Sequence, residues 1–123
     1  MVLTLLHIEE GATYQEKVYD YFIEAKTLSG KTLSIFDSLG WSKTLQVSDR
    51  IDAEISCYID ITEASKALFT GILEKENDDY KVITQDGILM ILPEDHIKAI
   101  PLGTTIFFNI AGNCSASHIE KLC

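Results

Sequence analysis

The stretch Ile51-Asp52-Ala53-Glu54-Ile55-Ser56-Cys57-Tyr58-Ile59-Asp60 alternates side-chain character without a break. A period of two is the mark of a strand with one face covered. Ile51, Ala53, Ile55, Cys57 and Ile59 fall on the covered face, while Asp52, Glu54 and Asp60 fall on the open one. A helix would scatter these apolar positions around its circumference.

The same reading extends in both directions. Isoleucine, valine and threonine number 30 of 123 residues, which favours a pleated fold over a helical one. Upstream, residues 17–28 alternate, with Tyr19, Tyr21, Ile23 and Ala25 on one face. Ser29-Gly30 offers a turn, and Thr32 to Phe36 returns as a partner strand. Residues 37–50 carry Asp37, Ser38, Gly40, Ser42, Ser48 and Asp49 and read as a loop.

Downstream, 61–66 reads as a helical turn or a short connection. Ala67 to Lys75 is a strand in which Gly71 marks a bulge or a close backbone approach. Asn77-Asp78-Asp79 and Asp86-Gly87 turn the chain around Tyr80–Thr84 and Ile88–Leu92. Pro93 opens a single helical turn over 94–99, and Pro101 forbids its continuation. Thr104 to Ala111 is the last strand expected. Ser117 and Glu120 have the spacing of a capping box, so a short terminal helix is expected there.

These elements predict one domain over residues 1–123, mainly β, with about seven short antiparallel strands and one or two single-turn helices. Such a chain closes into a small barrel or packs as a sandwich. The expected architecture is an OB-like barrel, with an SH3-like barrel or a sandwich as the alternatives. No internal repeat is visible in the residues.

Charge narrows the function. The chain holds 19 acids and 10 bases, a net charge of -9. Residues 1–50 carry a net of -2 and residues 51–123 a net of -7. That balance argues against general nucleic-acid binding, which rests on basic groups neutralising phosphates, and against anionic membranes. The N-terminal residues lack the pattern of a secretory signal, so a cytoplasmic location is expected. Three cysteines, Cys57, Cys114 and Cys123, make no disulfide framework.

Four groups of residues can be read as sites. Trp41 and Lys43, with Tyr19 and Tyr21, would form an aromatic and basic surface for a single-stranded oligonucleotide. The competing reading folds Trp41 inward over a barrel end. Glu74, Glu76 and Asp78 share one side of a strand, but they match no cation loop and read as a solvated hairpin tip. Cys114, His118 and Cys123 are three ligands where structural zinc wants four. Glu94-Asp95-His96 pairs a carboxylate with an imidazole, yet in a first helical turn the acids serve the helix dipole.

No phosphate loop or nucleophile motif occurs. The expectation is therefore a non-catalytic, acidic interaction module with no cofactor or metal. Its partner would be a basic protein, in the manner of an accessory subunit or an inhibitor. Single-stranded nucleic-acid binding is the alternative. The apolar runs at 1–6 and 106–110 add a homodimer as a further expectation.

Overall fold

A computed structural model describes residues 1–122. Among these residues ten strands form: β1 (Val2–Glu10), β2 (Thr13–Tyr14), β3 (Lys17–Val18), β4 (Tyr21–Thr27), β5 (Thr32–Asp37), β6 (Arg50–Ile61), β7 (Phe69–Glu76), β8 (Asp79–Thr84), β9 (Gly87–Ile91) and β10 (Thr105–Lys121). A 3-10 turn spans Trp41–Thr44, and one helical turn, α1, spans Asp95–Lys98. The fold is mainly β, as the alternation predicts. No helix among the described residues is long and apolar enough to cross a membrane.

Eight strands make one sheet in the order β1-β4-β5-β10-β6-β9-β8-β7. β1 also pairs with β6, and β7 also pairs with β10. The hydrogen-bonded path therefore closes on itself twice. One circuit runs β1-β4-β5-β10-β6, and the other runs β7-β8-β9-β6-β10. β6 and β10 belong to both.

The two circuits repeat one topology. Each half of the chain supplies an antiparallel three-strand meander, a short helical turn and a long strand. In each, the third meander strand closes onto the other half's long strand by a short parallel pairing. These pairings are Ile35 with Cys114 and Phe36 with Ser115, and Met90 with Ser56 and Ile91 with Cys57. The structure thus holds a repeat that the residues conceal. It also departs from the all-antiparallel expectation at these two pairings.

The core follows the alternation. Ile51, Ala53, Ile55, Cys57 and Ile59 of β6 are all buried, and so are Ile106, Phe108, Cys114, Ala116 and Ile119 of β10. Phe108 stacks on Phe69 with ring centroids 5.6 Å apart. Gly71 is required by proximity, since a Cβ there would lie 2.5 Å from a Val82 methyl and 2.6 Å from the Ile83 carbonyl oxygen. Cys57 and Cys114 are adjacent in the interior. The hydrogen bond between their thiols and their burial both hold the Cys57 thiol protonated, well above its usual range.

Two local expectations are corrected, and a third is decided. Residues 17–28 are not one strand. A two-residue ribbon, β2–β3, turns through Gln15 and Glu16 in left-handed conformation, and Asp20 accepts the Ala12 amide at 2.7 Å. Of the two readings of 61–66, the short connection is the one found: Ile61 ends β6 and a turn leads on to β7. The terminal helix is absent, and β10 runs on to Lys121. Gly112, at φ 73°, absorbs a register shift between Ala111 and Ser115 instead of ending the strand. The long edge of β6 then offers ladder bonds that a helix of one turn cannot match. Ser117 donates to the Glu54 carbonyl at 3.2 Å and caps nothing.

The two halves also meet at their hairpin turns. Asp86, between β8 and β9, accepts the Ser29 amide at 2.7 Å and the Ser29 hydroxyl at 2.6 Å. Burial alone would raise the Asp86 pKa. The bonds from Ser29, a further one from Thr27 and the charge of Lys31 outweigh it and hold the carboxyl below its ordinary value.

Candidate functional site

The site is built on the β6–β10 pair. Alternation sends Asp52 and Glu54 outward from β6. A second register shift, between Ala116 and His118, places His118 opposite Glu54 and Glu120 opposite Asp52. Like charges directly opposed on a sheet are unfavourable. The fold tolerates this pair at a solvent-facing position.

β9 supplies the facing wall. Its residues pair with β6 only at Met90 and Ile91, and upstream of that pairing the ladder is open. The gap is a cleft of about 340 Å³. Met1, Ile55, Ile88 and Met90 give it an apolar lining, and Asp52, Glu54, Glu120 and His118 give it a polar one. The cleft already holds one cation. The Met1 ammonium donates to Asp52 at 3.0 Å and to the Ala53 carbonyl at 2.9 Å. Asp52 is thereby engaged, whereas Glu54 and Glu120 make no ion pair among the described residues. A contiguous cleft of about 350 Å³ shares Glu54, Ile55 and Met90 and adds Asp78 and Asp79.

Trp41 stands beside His118. Their rings meet edge to face, with centroids 4.8 Å apart. The 3-10 turn that carries Trp41 is anchored by buried Asp37, which accepts the Ser42 amide at 2.7 Å and the Ser42 hydroxyl at 2.8 Å. Trp41 is 40% exposed, so it neither caps the interior nor stands free. Lys43, on the same turn, is exposed.

Of the four residues expected to bind an oligonucleotide, Tyr19, Trp41 and Lys43 are exposed and Tyr21 is not. Tyr21 is only 8% exposed and belongs to the core. The β4 face begins at Tyr21, which breaks its alternation with Tyr19. Tyr19 is exposed, with the Lys17 ammonium 5.6 Å from its ring centre. Trp41 adjoins a histidine within an acidic cleft, a poor setting for a phosphate.

Glu76 pairs with Lys81 at 3.0 Å. Glu94, Asp95 and His96 are exposed around α1, and the acids bond to no cap amide through their side chains. Cys114 faces the core while His118 faces the cleft, and Cys123 lies outside the described residues. Among the described residues no group of three His, Cys, Asp or Glu side chains could hold a metal ion.

The residues alone do not reveal the cleft. Asp52 and Glu54 are legible as outward acids of a strand. Glu120 and His118 are not, because their segment carries a helix-capping signal.

The topological repeat provides an internal control. The equivalent of the acidic cleft lies where β5 parts from β10. It measures about 170 Å³ and is lined by Thr32, Leu33, Ser34, Leu68, Phe69, Asn109, Ile110 and Gly112. None of these carries a charge. The cleft is thus a product of the topology, and its acidity is particular to one copy. No family model matches the chain, and neither a curated protein nor a solved structure matches it.

Proposed function

We propose that the protein is a non-catalytic interaction module, of accessory-subunit or inhibitor type, that receives a basic segment of a protein partner in the Asp52–Glu54–Glu120 cleft. One observation carries this reading. Of two topologically equivalent clefts, one gathers three carboxylates over an apolar floor and the other gathers none. A lysine or arginine suits such a place, since its methylene stem packs on apolar surface while its charge stays at the rim. The Met1 ammonium on Asp52 and the Ala53 carbonyl is an intramolecular precedent for that contact. Acidic surfaces also speed encounter with basic partners.

The test uses an oligolysine peptide at low salt, followed by Trp41 emission. Trp41 is the only tryptophan and touches His118, so occupancy of the cleft should alter its signal. Binding should weaken about tenfold in Glu54→Gln/Glu120→Gln, a change of about 1.4 kcal/mol. The charge-matched variant Asp60→Asn/Glu63→Gln should leave it unchanged. Equal weakening by both variants would reduce the effect to net charge and overturn the reading.

One observation favours nucleic acid as a second reading. The circuit β1-β4-β5-β10-β6 has a meander, a parallel closure of its third strand onto its last, and a return to the first. That order supports an OB-like barrel, whose second and third strands often present an oligonucleotide face. Here those strands carry Phe22 and Phe36 with ring centroids 4.9 Å apart. Glu9 and Glu24 border Phe22, which weighs against a phosphate backbone. Salt-sensitive binding of a single-stranded oligonucleotide, lost in Phe22→Ala, would favour this reading over the first.

A further inference from the structure

The outer surface of the second meander carries a row of isoleucines. Ile72 of β7 pairs across to Ile83 of β8, and Ile83 pairs across to Ile88 of β9. All three point to solvent and are 41%, 43% and 47% exposed. The fold does not ask for this. In the first meander the equivalent row is Thr4, Lys26 and Thr32, joined by the corresponding pairings. Buried neighbours fix the equivalence, because Leu5–Ala25–Leu33 and Leu73–Val82–Leu89 form the adjacent inner rows.

Contiguous exposed apolar residues on a small protein mark a contact surface. The row ends at Ile88, which also lines the acidic cleft. Apolar contact and negative charge are therefore continuous. We infer that the partner is an amphipathic helix whose apolar face lies on Ile72, Ile83 and Ile88 and whose basic end enters the cleft. This rests on the cleft reading above.

Three features favour that occupant. Neighbouring strands lie about 4.8 Å apart, so the row is about 10 Å long. Residues three or four apart on a helix advance about 4.5 to 6 Å, which sets its apolar residues against successive isoleucines. In an extended peptide, same-face residues are about 6.6 Å apart and fall out of step. A second copy of this chain would bring another net charge of -9 to the same acidic rim, whereas a basic helix brings the complement.

The experiment compares two synthetic peptides of equal length and charge. One is a plain basic peptide. The other is a helix former with the same basic end and leucines at helical spacing. The helical peptide should bind the wild-type protein about tenfold more tightly. The triple variant Ile72→Thr/Ile83→Thr/Ile88→Thr, which keeps strand-forming residues and resembles the first meander, should bind both peptides alike. Its thermal transition should match that of the wild type.

Equal binding of both peptides by the wild type would overturn the inference and leave the cleft reading intact. Binding of neither peptide would overturn both. A helical peptide held equally well by Glu54→Gln/Glu120→Gln would remove the basic end from the cleft and overturn the inference as stated. A wild-type dimer in sedimentation that becomes a monomer in the triple variant would assign the row to a second copy instead.

Discussion

The two halves of this chain repeat one topology and share one core, yet they present different surfaces. The first meander shows Thr4, Lys26 and Thr32 where the second shows Ile72, Ile83 and Ile88. The first notch between meander and long strand is uncharged, and the second carries three carboxylates. What the halves share reports what folding needs. What they do not share reports something else, and both differences fall beside one another, where β9 of the second half faces β6 of the first. That coincidence makes the surface of β7–β9 and the adjoining cleft the place to look for a partner.

The largest test of the comparison concerns the shared core. Leu5→Ala and Leu73→Ala remove equivalent, fully buried side chains. Each should cost about 3 kcal/mol. Because β6 and β10 belong to both circuits, each variant should melt in one transition, followed by circular dichroism and calorimetry. A biphasic melt in either variant would show that the halves are separable and break the comparison.

Asp86 tests the contact between the halves. Asp86→Ala leaves the Ser29 amide and hydroxyl without their acceptor and should cost about 2 kcal/mol in chemical denaturation. The folded carboxyl has a lowered pKa, so its stabilisation is fully present above the ordinary aspartate value of 3.8. It is lost as the pH falls through the lower folded pKa. The stability gap between wild type and Asp86→Ala should therefore narrow in acid below about pH 4. A gap that stays constant to lower pH would mean that ionisation of Asp86 contributes nothing.

Glu120→Gln sharpens the comparison at the cleft. It removes one of two opposed carboxylates, and stability should rise by about 0.2 to 1 kcal/mol. The same substitution should weaken binding of a basic peptide, as titration would show. A residue that costs stability and aids binding is what a contact surface leads one to expect. Loss of stability in Glu120→Gln would contradict that account.

Much of the fold is legible in the residues alone. Strict alternation places Ile51 to Asp60 as a strand and names its inner face. Asp86-Gly87 and Pro93 mark a turn and a helical turn correctly. Gly71 signals a close approach, and Val82 and Ile83 supply the crowding. The failures have physical causes. Ser117 and Glu120 look like a helix cap because capping is a local pattern, but β6 offers the segment a longer ladder. Tyr21 looks like a partner of Tyr19, but the ribbon β2–β3 shifts the phase between them.

By itself, the sequence determined most of the strands, β6 above all, and which of their faces are covered. These choices depend on side-chain period and on turn residues, both local properties. Only the tertiary structure decided that Glu120 stands opposite Asp52, that β5 and β9 close by parallel pairings, and that two unlike halves repeat one topology. These depend on pairings between residues far apart in the chain. Such pairings are settled by which strand edges remain free once the core has formed, and no local pattern records that.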